Sequence, residues 1–374
     1  MTSQSLTRNL FASLRDFATS RSPHFGTLAP LDIRPSPCTT DPVHRIPVLL
    51  DTDIGTNVDD ALALLYLLRQ PRCDLLGVTT VSGDVRKRAG CAGAICRAAG
   101  RDDVPVHCGA PGPLLTGPGQ AAVPLYDSLA AAGTLTGGDQ PRPVGAAVEF
   151  LRQTIRGRPG EISLLTIGPL TNIALLFALD PEIPSLLRSI VSMAGVYFPH
   201  EKPVETNVRI DPVAAAMVLR ATAREDAAPH TLVGLNVTTR CVLPADGVRK
   251  RLRPPLPPAD LVLAMLDAWA KRTRQVTFHD PLAAALVFEE SLCAYEAGVA
   301  MNDVTRPGDE AGRTFFAPAK QLPDAPRAFG QRVAKGVKVR PFFDHYFATV
   351  SDTLVSSGPP AARAGRYLPP PPGL

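Results

Sequence analysis

The segment Ile46–Leu68, IPVLLDTDIGTNVDDALALLYLL, constrains the fold of this chain more than any other. A short apolar β-type run ends in a glycine-containing turn, and an apolar helical pattern follows the turn directly. The turn carries four aspartates, Asp51, Asp53, Asp59 and Asp60. Carboxylates this close together repel one another unless a positive charge lies among them. The segment therefore predicts a buried strand, a turn and a buried helix, with a hard-cation site at the turn.

Short β-type runs alternate with Ala/Leu-rich helical patterns, which is typical of an α/β fold with a mostly parallel central sheet flanked by helices. The predicted strands are Val48–Leu50, Leu75–Thr80, Ile162–Ile167, Ile190–Met193 and Thr231–Leu235. The predicted helices are Asp59–Leu68, Arg86–Ala99, Gly145–Arg156, Thr171–Leu179, Pro212–Ala221, Ala259–Arg274 and Pro281–Phe288. Such sheets bind ligands beyond the carboxyl ends of their strands, where polar residues collect in this sequence.

Composition narrows the class of partner. A formal net charge of +4 over 374 residues is too small to indicate a nucleic-acid or membrane partner. The apolar runs are shorter than the roughly 20 residues that a membrane span needs. The seven cysteines are odd in number and contain no CxxC pair, which predicts reduced thiols in a cytoplasmic protein.

The ends of the chain differ from its middle. Residues 1–44 are rich in Ser, Thr, Arg and Pro, and we predict a disordered N-terminal tail, with an amphipathic targeting peptide as the alternative. Residues 353–374 are proline-rich and predict a second disordered tail. Between them, residues 45–352 are predicted to form a single domain, in which Gly109–Pro143 is interpreted as a surface excursion.

Five sequence blocks resemble the nucleoside hydrolase family of the inosine–uridine-preferring type, in the same order, over about residues 45–350. They are DTDIGTNVDDALALLYLL at 51–68, TTVSGD at 79–84, LLTIGPLTNIALL at 164–176, SMAGVYF with ETNVRIDPVAAA at 192–216, and FHDPLAAAL at 278–286. The resemblance implies an α/β enzyme that binds Ca²⁺ and hydrolyses the N-glycosidic bond of ribonucleosides to free base and ribose, in nucleoside catabolism and salvage. It also implies a homo-oligomer, a dimer or a tetramer.

The resemblance also implies roles for individual residues. Asp53 matches the general base, which activates the metal-bound water and touches the metal. The remaining metal ligands are Asp60, Asp280 and the backbone carbonyl of Ile167. His279 falls where some members place the acid that protonates the leaving base. The substrate-binding positions, most of them at ribose hydroxyls, are Asp59, Asp84, Met193, Glu205, Asn207 and Asp280.

Elementary chemistry supports these roles. Ca²⁺ takes six to eight oxygen ligands, which carboxylates, one carbonyl, water and sugar hydroxyls can supply. Glycoside hydrolysis needs an activated water on one face of the sugar and a proton or hydrogen bond for the leaving group. A metal lowers the pKa of a bound water, and Asp53 is suited to remove its proton. With a reference pKa near 6.5, His279 is expected to donate a proton near neutral pH.

The chain departs from the family pattern at several positions. Thr56-Asn57 lengthens the first loop by two residues, and Asp84 stands where an asparagine is usual. The His-Gly-containing segment expected between about residues 115 and 140 is missing, and so is an asparagine expected near Pro199-His200-Glu201. These departures leave the metal and ribose site intact and leave the choice between purine and pyrimidine bases open.

Alternative roles remain for single residues and for the whole chain. Asp51 and Asn172 are candidates for ordering the loops, while Asp84 and Asp211 are candidates for helix caps. His279 is alternatively a structural histidine. Asp51-Thr52-Asp53 also resembles the nucleophile loop of haloacid-dehalogenase-like phosphatases. The other alternative to the hydrolase is a non-catalytic or specialised member that binds N-ribosides.

Overall fold

The structure is a computed structural model, and it describes residues 45–115, 119–120, 122–133, 135, 143–252, 257–306, 308–322 and 330–351. These residues belong to one compact unit, Val43–Leu374. The two predicted tails, 1–44 and 353–374, lie outside the described residues.

A central sheet of nine strands organises the described residues, with a separate two-stranded antiparallel sheet beside it. In chain order the strands are β1 (Ile46–Thr52), β2 (Cys73–Thr80), β3 (Val106–Cys108), β4 (Ser163–Thr166), β5 (Ser189–Met193), β6 (His230–Val233), β7 (Val242–Pro244), β8 (Gln275–Thr277), β9 (Cys293–Asn302), β10 (Thr314–Pro318) and β11 (Gln331–Val337). The order in the central sheet is β10-β9-β11-β6-β5-β4-β1-β2-β3, and β7 pairs with β8. The strands from β11 to β3 run parallel, while β9 and β10 are antiparallel to their neighbours.

Helices follow most of the parallel strands. They are α1 (Asp59–Arg69), α2 (Val85–Ala98), α3 (Pro124–Ala131), α4 (Ala146–Arg156), α5 (Thr171–Leu179), α6 (Ile183–Leu186), α7 (Thr206–Ile210), α8 (Pro212–Thr222), α9 (Leu235–Thr238), α10 (Ala245–Arg251), α11 (Pro257–Ala270), α12 (His279–Leu286) and α13 (Val339–Ser351). Short 3₁₀ turns lie at Glu290–Leu292, Gly308–Glu310 and Ala319–Gln321.

The central strands are buried on both faces. In β1, Val48 and Leu50 belong to one hydrophobic cluster, with side chains of α1, α2, α11, α12 and α13. Leu49 points to the opposite face and belongs to a second cluster, with side chains of α4, α5 and α8. This alternation explains why the strand reads as a continuous apolar run, as expected for a parallel strand covered on both sides. The prediction of a mostly parallel sheet flanked by helices is confirmed.

The sheet reverses its strand order next to β1. The chain runs from β1 through β2 to β3 on one side, then returns to add β4 on the other side of β1. Open α/β sheets bind ligands beyond the carboxyl ends of the strands at such a reversal. The loops after β1 and β4 therefore occupy the expected place for a site.

The predicted strands and helices all occur, and most of their bounds shift by one to three residues. The interpretation of Gly109–Pro143 as a surface excursion is wrong for α3, because Leu125 and Leu129 of that helix are buried against the core. The described cysteines are free, buried thiols, as predicted. In the described part of the chain, every helix is too short or too polar to cross a membrane.

Candidate functional site

Three carboxylates meet where the first turns of two helices lie side by side. Asp59 and Asp60 begin α1, and Asp280 lies in the first turn of α12, which packs against α1. One oxygen from each residue lies within 4.8 Å of the others. All three are buried, with exposed fractions of 3–5%. We call Asp59, Asp60 and Asp280 the carboxylate cluster.

Asp53 lies next to this cluster at the end of β1. It opens the aspartate loop, residues 53–58, and is buried. Thr52 donates a hydrogen bond of 2.5 Å from Oγ1 to Oδ1 of Asp60, which ties the strand end to α1. Gly168, after β4, permits a close approach, because a Cβ there would lie 2.8 Å from the Asp53 nitrogen. The loop after β4 therefore packs directly against Asp53.

Burial and mutual repulsion dominate the electrostatics of the site. Burial raises the pKa of Asp53, and the nearby Arg88 guanidinium opposes that rise. Burial, followed by the charges of Asp53 and Asp59, raises the pKa of Asp60 well above its usual value. The pKa of Asp280 is also raised well above its usual value, by burial and then by the charges of the other aspartates. Burial raises the pKa of Asp59 to about 7. Such raised pKa values are expected where carboxylates share a low-dielectric site, and a bound cation would reverse them.

Backbone carbonyls and an amide complete the rim beyond β4 and β5. Asn207 donates from Nδ2 to the carbonyl oxygens of Ile167 and Met193, at 3.0 Å each. The predicted metal-ligating carbonyl of Ile167 thus has one lone pair engaged and a second one left for another partner. Glu205 accepts hydrogen bonds from the backbone nitrogens of Asn207 and Val208 as the cap of α7. Burial raises the pKa of Glu205 to about 7.

His279 is the first residue of α12 and is directly followed by Asp280. Its Nδ1 lies 2.7 Å from Oγ1 of Thr238. Burial, then the charges of Lys202 and His200, lower the pKa of His279 to about 4. The expectation of a pKa near neutral is therefore wrong, because the sequence does not reveal that the ring is desolvated and lies among other basic groups.

Asp84 and Asp211, for which the sequence left a capping role open, both cap helices in the structure. Asp84 is exposed and caps α2 by accepting from the Lys87 nitrogen at 3.1 Å, so the capping role is confirmed. Asp211 caps α8 in the same way, with Pro212 as the first helical residue.

Asp51 and Asn172 order the loops at the strand ends. Oδ1 of Asp51 accepts from Thr79 Oγ1 at 2.5 Å and from Asn172 Nδ2 at 2.7 Å. Oδ1 of Asn172 accepts in turn from the backbone nitrogen of Ala110 at 2.8 Å. These bonds confirm the ordering role and link the ends of β1 and β2 to the start of α5.

Sequence reasoning missed two residues that contact the site. Thr238 lies outside the five family blocks and gives no signal of its contact with His279. Arg88 is fully buried and donates to the backbone carbonyl of Asp53. The signal for Arg88 was present, since Val85, Arg88, Ala89 and Ala92 share helical spacing and form the buried stripe of α2.

The donor set of the site fits a hard divalent cation. Asp53, the carboxylate cluster and the Ile167 carbonyl offer oxygen atoms, and Ca²⁺ and Mg²⁺ prefer oxygen ligands. Burial and the neighbouring carboxylates raise the pKa of Asp60 and Asp280, and a bound cation would oppose that rise. A group of buried carboxylates at the reversal of a parallel sheet defines a metal-dependent α/β enzyme as the class to which the fold and site point.

The comparisons with known proteins identify the family. The sequence matches the model of the family described as inosine-uridine preferring nucleoside hydrolase over residues 48–344. The chain belongs to this family, which is a family of metal-dependent enzymes. Family membership excludes the phosphatase alternative.

Similar proteins include two nucleosidases from Arabidopsis thaliana. The protein described as probable uridine nucleosidase 2 is 31% identical over 272 residues, which are 68% of this chain and 81% of that protein. Uridine nucleosidase 1 is 30% identical over 264 residues, 67% of this chain and 76% of that protein. The match to a probable uridine nucleosidase 1 from Oryza sativa subsp. japonica spans 62% of that protein's length, at 31% identity.

Solved structures show the same fold. A plant nucleoside hydrolase has a TM-score of 0.70 at 23% identity and covers 82% of this chain and 98% of its own. A purine-preferring ribonucleoside hydrolase from Gardnerella vaginalis has a TM-score of 0.67 at 26% identity, with 81% and 98% covered. The single-domain nucleoside hydrolase fold predicted from the sequence is confirmed.

Proposed function

We propose that residues 45–352 hydrolyse the N-glycosidic bond of ribonucleosides to a free base and ribose, with Ca²⁺ as the cofactor. The observation that carries this proposal is the convergence of Asp59, Asp60 and Asp280 beside Asp53, at the reversal of the sheet. Asp280 comes from a distant part of the sequence, and its burial beside the three other aspartates is unfavourable unless a cation and a polar substrate occupy the site.

Asp53, Asp60, Asp280 and the Ile167 carbonyl would hold the cation. Bound Ca²⁺ would supply positive charge that polarises a water and the sugar hydroxyls. Asp53 accepts the proton that the attacking water releases, and its buried position keeps competing solvent away. Hydrolysis through an oxocarbenium-like transition state then needs an electron-withdrawing or hydrogen-bonded leaving base.

The remaining side chains are proposed to bind the ribose and the base. Asp59, Glu205, Asn207 and Asp280 present oxygen and amide groups toward hydroxyls, while Met193 contributes an apolar contact at the end of β5. Asp84 belongs to this group only through its place in the second block, because its described contact is the helix cap. A site built to pair hydroxyls discriminates against deoxyribose, since the unpaired carboxylates would be costly.

His279 is proposed to assist departure of the base as a neutral hydrogen-bond donor. With a pKa of about 4 the ring carries no charge near neutral pH. If the Thr238 hydroxyl donates to Nδ1, the proton of the ring is on Nε2 and is free to meet a base nitrogen or oxygen.

A nucleoside panel tests the proposal. Uridine is the first substrate to try because two similar plant proteins are described as uridine nucleosidases, with inosine, cytidine and adenosine beside it. We expect equimolar release of base and ribose, loss of release with a chelator, recovery with Ca²⁺ and little release from deoxyuridine. Binding of ribosides without release of any base would favour the non-catalytic alternative instead.

We further propose a cytoplasmic homo-oligomer, a dimer or tetramer. The free, buried cysteines support a reducing compartment. Leu175 and Leu179 lie one turn apart on α5 and are 37% and 60% exposed, which supports an apolar contact between subunits. Sedimentation equilibrium of the full chain measures the state, and a monomer at micromolar concentration would contradict this part.

A further inference from the structure

A buried arginine lies behind the aspartate loop. Arg88, in the first turn of α2, is fully buried, which is uncommon for an arginine. Its guanidinium donates hydrogen bonds to the carbonyl oxygens of Ser82 at 2.6 Å, of Ile54 at 3.1 Å and of Asp53. These acceptors follow β1 and β2. The side chain therefore joins two loops at the carboxyl edge of the sheet.

The guanidinium also reaches the residues that lengthen the aspartate loop. Nη1 of Arg88 donates to Thr56 Oγ1 at 3.1 Å, and that hydroxyl donates to the Ala122 carbonyl at 3.1 Å. Nη2 donates to the backbone and side-chain oxygens of Gln120, at 3.1 and 3.2 Å. One side chain thus connects the aspartate loop to Gln120 directly and, through the Thr56 hydroxyl, to Ala122.

Backbone contacts make this junction close. The Leu125 nitrogen donates to the Gly55 carbonyl at 2.9 Å. Gly55 has a φ of +112°, and a Cβ there would lie 2.4 Å from Cγ1 of Val123. The loop therefore adopts a conformation that favours glycine and leaves no room for another side chain. Such a conformation persists only when surrounding contacts fix it.

Ser82 shows that the second loop is constrained as well. Among the described non-glycine residues it is the one with positive φ, +69°, and it is buried. The hydrogen bond from Nε of Arg88 to its carbonyl lies directly before Gly83 and Asp84. Arg88 therefore contacts the backbone of both loops that carry proposed site residues after β1 and β2.

We propose that Arg88 is a positioning residue, which fixes the lengthened aspartate loop against Gln120 and residues 122–125 and so sets the place of Asp53 relative to Asp59 and Asp60. Its effect on turnover rests on the proposed function, while its effect on loop order does not. A guanidinium suits the task because its five N–H donors form a rigid plane. The ammonium of a lysine carries its donors on one atom and cannot reach Ser82 and Gln120 together.

Hydrogen exchange measured by mass spectrometry tests the positioning role. In Arg88→Lys, which keeps the charge, we expect the amides of residues 53–58 and those of Gln120 and residues 122–125 to exchange at least about tenfold faster, together, with α12 unchanged. Thr56→Val removes one shared contact without leaving a cavity and should give a smaller increase in the same two segments. Arg340→Met is the control, because it removes an exposed ion pair with Asp344 within α13 and should leave both segments unchanged.

Wild-type exchange in both Arg88→Lys and Thr56→Val, or faster exchange in one segment alone, would overturn the proposal.

Calorimetric titration with Ca²⁺ and steady-state kinetics give the second readout. We expect Arg88→Lys to bind Ca²⁺ about tenfold more weakly and to lose about 100-fold in kcat at saturating Ca²⁺, as misplacement of a reacting group by about 1 Å predicts. Wild-type kcat and Ca²⁺ affinity in a variant with loosened loops would contradict the proposal. If the wild-type chain releases no base, the proposed function fails, and hydrogen exchange still decides the role of Arg88.

Discussion

Replacing Asp280 with asparagine separates two effects of the buried carboxylates at this site. They repel one another when no cation is bound, and they bind the cation when it is present. The substitution keeps the side-chain shape and removes one charge from a cluster whose oxygens lie within 4.8 Å of one another. Two unit charges about 5 Å apart repel by about 3 kcal/mol at an effective dielectric constant of about 20. Proton uptake limits this cost to about 4 kcal/mol near neutral pH, because an aspartate with a pKa of about 3.9 protonates at that cost. Asp280→Asn should therefore relieve about 1–4 kcal/mol of repulsion when no cation is bound.

Thermal unfolding with chelator and with Ca²⁺ measures both effects. In chelator, Asp280→Asn should unfold at a higher temperature than the wild type, by roughly 1–2 °C for each kcal/mol relieved in a domain of this size. At about a 1,000-fold excess of Ca²⁺ over Kd the wild type should gain about 4 kcal/mol, and the variant less than half of that. The stability of Asp280→Asn relative to the wild type should therefore drop by at least about 2 kcal/mol between chelator and Ca²⁺.

The pH dependence of thermal unfolding in chelator tests the direction of the pKa shift of Asp280. Burial and the neighbouring carboxylates raise the pKa of Asp280 in the folded chain. Because the folded-state pKa is raised, the stability that Asp280 contributes in chelator is fully present below about pH 4 and is lost as pH rises toward the folded-state pKa. The stability of Asp280→Asn should change less steeply over the same pH range. Asp127→Asn, an exposed carboxylate paired with Lys87, is the control and should leave the response to Ca²⁺ unchanged. A variant that is less stable than the wild type in chelator, or that keeps the full gain from Ca²⁺, would refute the reasoning.

Other expectations follow from single residues. Asp53→Ala should lower kcat by about 1,000-fold or more while the circular dichroism spectrum stays unchanged, and near-normal turnover would exclude Asp53 as the base. His279→Ala should slow nucleosides with poor leaving groups most, and an equal loss across a series of substituted bases would argue against any role at the leaving group. Burial lowers the pKa of His230 to about 3, between the hydroxyls of Ser192 and Thr222. The stability that His230 contributes should therefore be fully present above about pH 6.5 and be reduced by about 2 kcal/mol at about pH 5. His230→Asn should flatten that slope in urea unfolding, and an unchanged slope would exclude His230 as its cause.

Five of the parallel strands, β1, β2, β4, β5 and β6, were predictable because their signals are local. β1 and β2 are short apolar runs, and helices such as α5 begin and end where the spacing of leucine and alanine indicates. The strands β9 and β11 were missed because their sequences, CAYEAGVAMN and QRVAKGV, alternate poorly and contain glycine and charge. Their pairing with one another and with β6 depends on contacts between distant residues.

Local signals in the sequence predicted some of the site residues and their properties, while others depend on how the chain folds. Asp53, Asp59 and Asp60 stand out because like charges rarely cluster between apolar elements without a ligand. The packing of α12 against α1 brings Asp280 to them, which the resemblance implied and local spacing could not show. The low pKa of His279 could not be predicted, because desolvation depends on what covers the ring in the folded chain.

The most direct test of the central claim is a Ca²⁺ titration of the chelator-treated protein, in which bound metal and base release from a nucleoside are measured in the same samples. We expect one Ca²⁺ per chain and a rate of base release that rises in proportion to the bound metal, reaching its maximum at full occupancy. Full turnover in samples that hold no divalent cation would contradict the claim that the buried carboxylates work by holding a metal ion.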